Sequence, residues 1–532
     1  MTAVTNSPPL RSWWILALLV VLPASYALFA AQLMRCQGPF WGAYHVDPTY
    51  NYLLNSLSLA TLHPPYDIAH PGTPVQVLGG ILLRLMHPLS GSDNLVLMVL
   101  SAPEAHAQGL SAALIGLATA AAFGAGWWVL RRTGRLDAAL LAQTGPLLLP
   151  TALAGYSDVR PEPFQLALGF VWVAIWIVWA EGKLDLASRA TFLVIAALGG
   201  IAVAAKYIFL PNLFLPLLVL RRWRERMAFG FWSLVFFIVA ISPTLPNWRR
   251  LGSVPFRLLT REAAYGGGAV GITPLGGWLA AGKVVIQSNP QFIAWLVGAL
   301  ALLGWIYFRP QREREHPRHR LLLAGAAGSL LIAFAVVLKQ AHGSQRYLMP
   351  AAATVPLVAF FVWRRAAEFL SPRACALFAA TALALSVTLA SFAARSHLEF
   401  TVASIESARA TNAWIARELR GQTVIPAAGG STQAFALASS LSGFESRWSV
   451  LLDRLYPENT WCGLWSGSFY SHFAAQKSLQ PKNPFYLHCA PLDTGVFAEV
   501  RRALGWSFTP LWQTDFEAVY RVEIPPVAAI RP

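Results

Sequence analysis

Apolar residues fall in long runs separated by short polar breaks, roughly at 13–31, 110–130, 136–155, 164–180, 190–205, 207–220, 228–246, 291–308, 321–338, 347–363 and 374–392. A run near twenty residues crosses a hydrocarbon layer of about 30 Å as a helix, so the pattern predicts an α-helical polytopic membrane protein with about eleven spans. The first run is long enough to span and reads as a retained helix, not as the shorter core of a signal peptide. Runs 190–205 and 207–220 share a tight turn at Lys206. Reading them as one helix would put "RRWRER" (221–226) and "RPQREREHPRHR" (309–320) on the side of the membrane opposite the earlier basic loops, so they count as two.

The basic residues orient this arrangement. Arg11, then Arg131, Arg132 and Arg135, then Lys183 and Arg189, occupy every second loop. Arg221, Arg222, Arg224 and Arg226, the 309–320 run, and Arg364, Arg365 and Arg373 continue the alternation. Basic loops stay in the cytoplasm. The expectation is a multi-pass protein of a bacterial inner membrane, with its N-terminus cytoplasmic and its C-terminal domain periplasmic. The predicted organisation is a membrane domain over 1–392, with a long exterior first loop (32–109), and a soluble domain over 393–532. A further exterior loop covers 247–290. In the tail "TVIPA" (423–427) and "EAVYRVEI" (517–524) read as strands and "STQAFALASSL" (431–441) as a helix, which suits one small α/β domain.

Composition agrees. Of 532 residues 56% are hydrophobic and 12% charged, about half the charge of a soluble domain. The net charge of +16 sits in the topological clusters, so no nucleic-acid partner is expected. Cys375 lies within a span. Cys462 and Cys489 fall in the exterior tail, where an oxidising compartment would allow a disulfide; two unpaired thiols are the alternative.

The first exterior loop carries two segments too short to span. "TYNYLLNSLSLA" (49–60) puts Tyr50, Leu53, Leu54 and Leu57 on one helical face, and "VQVLGGILLRLM" (75–86) does the same with Val77, Leu78, Ile81, Leu82 and Leu85. Both are expected to lie along the membrane surface as amphipathic helices. "HPPYD" and "HPGTP" form turns between them. Asp47, just before Pro48, could cap a helix, bind a cation or act as a general base.

Asp47, Tyr50 and the run "HPGTPVQVLGGILLRLM", followed by "YSDVRPEPFQLAL" (156–168), "VAAKYIFLPNLFLPLLVLRR" (203–222) and "GSQRYLMP" (343–350), resemble in order the motifs of the GT-C glycosyltransferases. The likeness is to the protein O-mannosyltransferase and lipid A aminoarabinose transferase branch. It covers nearly the whole membrane part and leaves the tail unassigned. That family often has a second acid directly after the first, where this chain has Pro48.

The resemblance implies transfer of a sugar from a polyprenyl-phosphate donor to a lipid, glycan or protein acceptor on the outer face, among membrane lipids. A departing lipid phosphate needs positive charge at headgroup depth. Lys206, Arg346, Lys339 and Arg160 are the candidates, with snorkelling toward headgroups the alternative. Asp47 is the expected base in an inverting attack. Asp158 and Glu162 are candidates for a second acid, an ion pair with Arg160 being the structural alternative for Glu162. Tyr50, His70 and Tyr347 are placed at the substrate.

His45, Asp47, His63 and His70 are residue types that could hold a divalent ion, but they match no compact ligand spacing, so no metal ligand is assigned. "AYGGGAVGITPLGG" (264–277) lacks the phosphate-loop lysine and reads as a flap. A transporter or flippase of a lipid-linked substrate is the competing function. It predicts ionisable groups in mid-span and two related halves, neither visible in the sequence.

Overall fold

Length and apolarity separate the helices that can span from those that cannot. The computed structural model describes residues 13–42, 46–66, 72–153, 155–262, 270–271, 273–308, 317–339, 345–441, 448–457, 460–464, 467–473, 477–478, 481, 483–493, 498, 501–502 and 504–524. In chain order the helices are α1 (Trp13–Cys36), α2 (Val46–Ala60), α3 (Thr73–Met86), α4 (Ser92–Ser101), α5 (Pro103–Thr133), α6 (Leu136–Leu141) and α7 (Gly145–Leu148). Then come α8 (Pro161–Ala180), α9 (Arg189–Ala205), α10 (Phe214–Val219), α11 (Trp223–Ile241), α12 (Trp248–Thr260), α13 (Leu275–Ser288) and α14 (Pro290–Phe308). The last long ones are α15 (Pro317–Lys339), α16 (Val355–Phe369) and α17 (Pro372–Glu418).

Among the described residues eight segments are long and apolar enough to cross a bilayer: α1, α5, α8, Trp223–Asn247, α14, α15, Tyr347–Phe369 and α17. The chain is an integral membrane protein. The other three expected spans are shorter or broken. Run 136–155 splits into α6, α7 and a 3-10 turn at Pro150–Leu153, as Pro146 and Pro150 require, each removing an amide donor. Run 207–220 starts as a 3-10 segment, Tyr207–Leu213, containing Pro211, before α10. Helix α9 has 17 residues. Helix α17 runs 47 residues, past the end of its apolar stretch; at 1.5 Å per residue it is about 70 Å long.

The chain forms two compact units, the first from Met1–Gln32, Ile68–Val75 and Ala112–Ser396 and the second from Leu33–Asp67, Gln76–Ser111 and His397–Pro532. In the first, α8 is buried almost all round, its Trp172, Trp176 and Trp179 meeting edge to face at 5.8 and 5.7 Å. Phe209 closes on Trp172 at 5.7 Å. Without water to drive them together, membrane helices pack through small residues. A Cβ on Gly200 of α9 would lie 2.3 Å from the Ser233 carbonyl of α11, so glycine permits this approach.

The second unit holds β1 (Val424–Pro426), α18 (Gln433–Leu441), α19 (Ser449–Leu455), β2 (Thr460–Gly463), β3 (Ser468–Ser471), β4 (Lys477–Ser478), β5 (Phe485–Cys489), β6 (Ser507–Gln513) and β7 (Ala518–Glu523). One sheet has the order β1-β5-β7-β6, with β1 parallel to β5 and the remaining pairs antiparallel. The other has the order β2-β3-β4. Pro510 sits at a register shift in edge strand β6, where a missing amide costs no ladder bond.

The two helices expected in the first loop both form, with different outcomes. Tyr50, Leu53, Leu54 and Leu57 of α2 are fully buried, and α2 packs against α18. Its apolar face is therefore covered by protein and not laid on lipid, a correction to the expectation. Helix α3 turns a glycine face inward: a Cβ on Gly79 would sit 2.2 Å from Ser56 Oγ. Its apolar stripe points out, with Ile81 53% and Leu85 68% exposed, as a surface-lying helix requires.

Candidate functional site

Three of the ordered motifs meet in the first unit, each where a helix is interrupted. The sequence Arg160-Pro161-Glu162-Pro163 starts α8, with Arg160 at the N-cap and Pro161 at the first helical position. Prolines fit there because the first-turn amides have no helical acceptor. Glu162 is thus fixed in the first turn. Lys206 adopts an extended conformation (φ −163°, ψ 133°) between α9 and the 3-10 segment Tyr207–Leu213. Tyr347 lies in a third irregular piece, the 3-10 segment Gln345–Ala353.

Side chains hold the breaks together. The Gln165 amide donates to the carbonyls of Ala202 and Lys206, at 2.9 Å each. Asn212 donates to the Pro350 carbonyl at 3.1 Å and accepts from the Thr354 hydroxyl at 2.6 Å. Irregular backbone is tolerated at membrane depth only where protein or a polar cavity satisfies it, and these amides do so.

The charges gather at the same place. Lys206 Nζ donates to Glu162 Oε1 at 2.5 Å, with the two residues 4% and 1% exposed. The ammonium also lies 5.3 Å from the centroid of the Tyr347 ring. Asp158 pairs with Arg160. Lys206 therefore does not snorkel; it is buried and aimed at a carboxylate. A buried ion pair is no better for stability than apolar side chains of the same volume, though removing one partner alone costs about 3–5 kcal/mol. Within a membrane domain such a pair is a candidate functional site.

Other candidates fall elsewhere. Lys339 donates to the Arg261 carbonyl at 2.5 Å and to Thr273 Oγ1 at 3.0 Å. The side chain of Arg346 and all of His45 and His70 lie outside the described residues. Asp47 is in the first turn of α2, one residue inside the helix start, and its side chain is likewise outside the description. His63 Nδ1 is 3.2 Å from Thr61 Oγ1. Among the described residues no three His, Cys, Asp or Glu side chains form a group able to hold a metal ion.

In the second unit Tyr50 meets a residue that sequence reasoning missed. Glu104 accepts the Phe40 amide on both oxygens, at 2.9 and 3.0 Å, and the Tyr50 hydroxyl lies 3.4 Å away. Burial, then the neighbouring Glu104, raises the Tyr50 hydroxyl well above its ordinary pKa. The available signal was local: an acid directly after Pro103 at a helix start, in a chain with few acids. Cys462 and Cys489 are free thiols buried in one core. Burial pushes Cys462 up to about 12 and Cys489 well above its ordinary value, the latter also raised by Cys462 and Glu517.

No protein-family model matches the chain, and no curated protein matches it. Among solved structures the chain is similar to the crystal structure of ArnT from Cupriavidus metallidurans bound to undecaprenyl phosphate. The identity is 15%, the TM-score is 0.46, and the match covers 96% of this chain and 99% of that one.

Proposed function

We propose that the protein is an inner-membrane glycosyltransferase that moves a sugar from a polyprenyl-phosphate donor to a lipid, glycan or protein acceptor on the outer face. The observation that carries this reading is the buried Lys206–Glu162 pair, with Tyr347 beside it, at the junction of three interrupted helices. On this reading Glu162 holds the Lys206 ammonium in place until the lipid phosphate takes its position. Lys206, with Arg160 and Arg346, then stabilises the charge that develops as the bond from the sugar C1 to the phosphate oxygen breaks. The polyprenyl phosphate leaves as the anion. The acceptor O–H or N–H gives its proton to the Asp47 carboxylate as its heteroatom bonds to C1, which inverts the anomeric centre. Asp47 is assigned by the resemblance of its motif.

The test is transfer of label from a pool of polyprenyl-phosphate sugars in membranes. Lys206→Gln is expected to lower transfer by roughly 10²–10³, the range for losing one electrostatic stabiliser. Asp47→Asn is expected to lower it by at least about 10². Transfer at the wild-type rate by Lys206→Gln would remove the phosphate role. No transfer from any donor, with movement of a lipid-linked substrate between leaflets, would establish the transporter instead.

A further inference from the structure

His87, just after α3, and His106, in the first turn of α5, turn the same ring nitrogen toward each other. His106 Nδ1 lies 2.8 Å from the Ala102 carbonyl. A carbonyl only accepts, so Nδ1 carries the proton and Nε2 presents a lone pair. That Nε2 is 2.9 Å from His87 Nε2, with the ring centroids 5.1 Å apart. We propose that His87 and His106 form a two-histidine site for a divalent transition metal such as zinc, nickel or copper.

The distances fit. Two imidazole nitrogens at about 2.0–2.1 Å from one ion stand about 2.9 Å apart at a right angle and about 3.3 Å apart at a tetrahedral angle. The contact from Nδ1–H to a backbone carbonyl is the outer-shell bond that fixes ring orientation in metal-binding histidines. Both rings are half-buried, which leaves a solvent side for water to complete the coordination. No Asp, Glu or Cys joins them into a larger ligand group among the described residues. The site therefore suits ions that favour imidazole over magnesium or calcium, which need oxygen ligands. It shares no residue with the Lys206–Glu162 cluster. A bound ion would staple the end of α3 to the start of α5, closing the segment that contains α4.

The test uses the full chain in lipid nanodiscs, dialysed against low-micromolar zinc, with bound metal counted by mass spectrometry. His87→Gln and His106→Gln are each expected to lose one equivalent relative to wild type, and the double variant to lose one and not two. Such non-additivity requires one shared ion. A second measurement needs no variant: zinc should protect both His87 and His106 of the wild-type protein from diethylpyrocarbonate. Unchanged zinc content in either single variant, a loss of two equivalents in the double, or equal labelling with and without zinc would overturn the site and leave only a hydrogen bond between neutral rings.

Discussion

Each unit buries a carboxylate beside a cationic or ionisable partner, and the two settings differ. In the second unit Glu517, 0% exposed, accepts from Ser431 and lies 2.7 Å from His488 Nε2. His488 is on β5, and β7 begins one residue after Glu517. The cluster is walled by regular sheet, and the amide of Asn412 braces the Ser431 carbonyl. In the first unit Glu162 meets Lys206 where helices stop. Both carboxylates are equally dry, so burial alone does not separate a structural pair from a binding one. The backbone around them differs: Glu517 is braced by regular sheet, whereas Glu162 and Lys206 sit at helix breaks whose polar backbone must be satisfied by side chains.

The contrast can be broken by mutation. Glu517→Ala leaves Ser431 and His488 buried without their acceptor and should destabilise the second unit by about 3–5 kcal/mol. Thermal unfolding measures this, and transfer should fall only with the folded fraction. A variant that unfolds normally but loses all transfer would make Glu517 functional. Lys339→Met is the control cation, because its ammonium serves a carbonyl and a hydroxyl. It should cost about 1.5–3 kcal/mol and leave donor affinity unchanged.

A smaller effect tests how dry the sheet core is. The Cys462 thiol, ordinarily near 9.0, is pushed to about 12 by burial, so the folded state keeps the proton. Its contribution to stability is complete below pH 9 and is lost as the pH rises toward 12. Maleimide labelling at pH 8 should be slow in the folded protein and fast once denaturant opens it.

Much of the fold was legible because it follows periodicity. The eight long spans, α2, α3, α18, β1 and β7 all carry local patterns that need no partner. What periodicity does not carry is the identity of the covering surface. Tyr50, Leu53 and Leu57 look the same whether lipid or protein lies over them, and protein does. In α3 the telling residues were Gly79 and Gly80, whose missing side chains mark the packed face.

The candidate site divides in the same way. Glu162, Lys206 and Tyr347 were readable as rare polar residues at span ends, but their convergence across interrupted helices was not. Glu104 and the His87–His106 pair depend on contacts 64 and 19 residues apart in the chain, which no local window reports.

The most direct measurement is the affinity of polyprenyl phosphate for the purified protein by native mass spectrometry, with Lys206→Gln, Glu162→Gln and the double variant. If Glu162 is the place-holder for a phosphate, Lys206→Gln weakens binding at least tenfold. Glu162→Gln leaves binding equal or tighter, because a competing anion is gone, and the double variant behaves as Lys206→Gln. If both single variants weaken binding alike and the double recovers the wild-type affinity, the pair is a structural bridge and the phosphate site lies elsewhere.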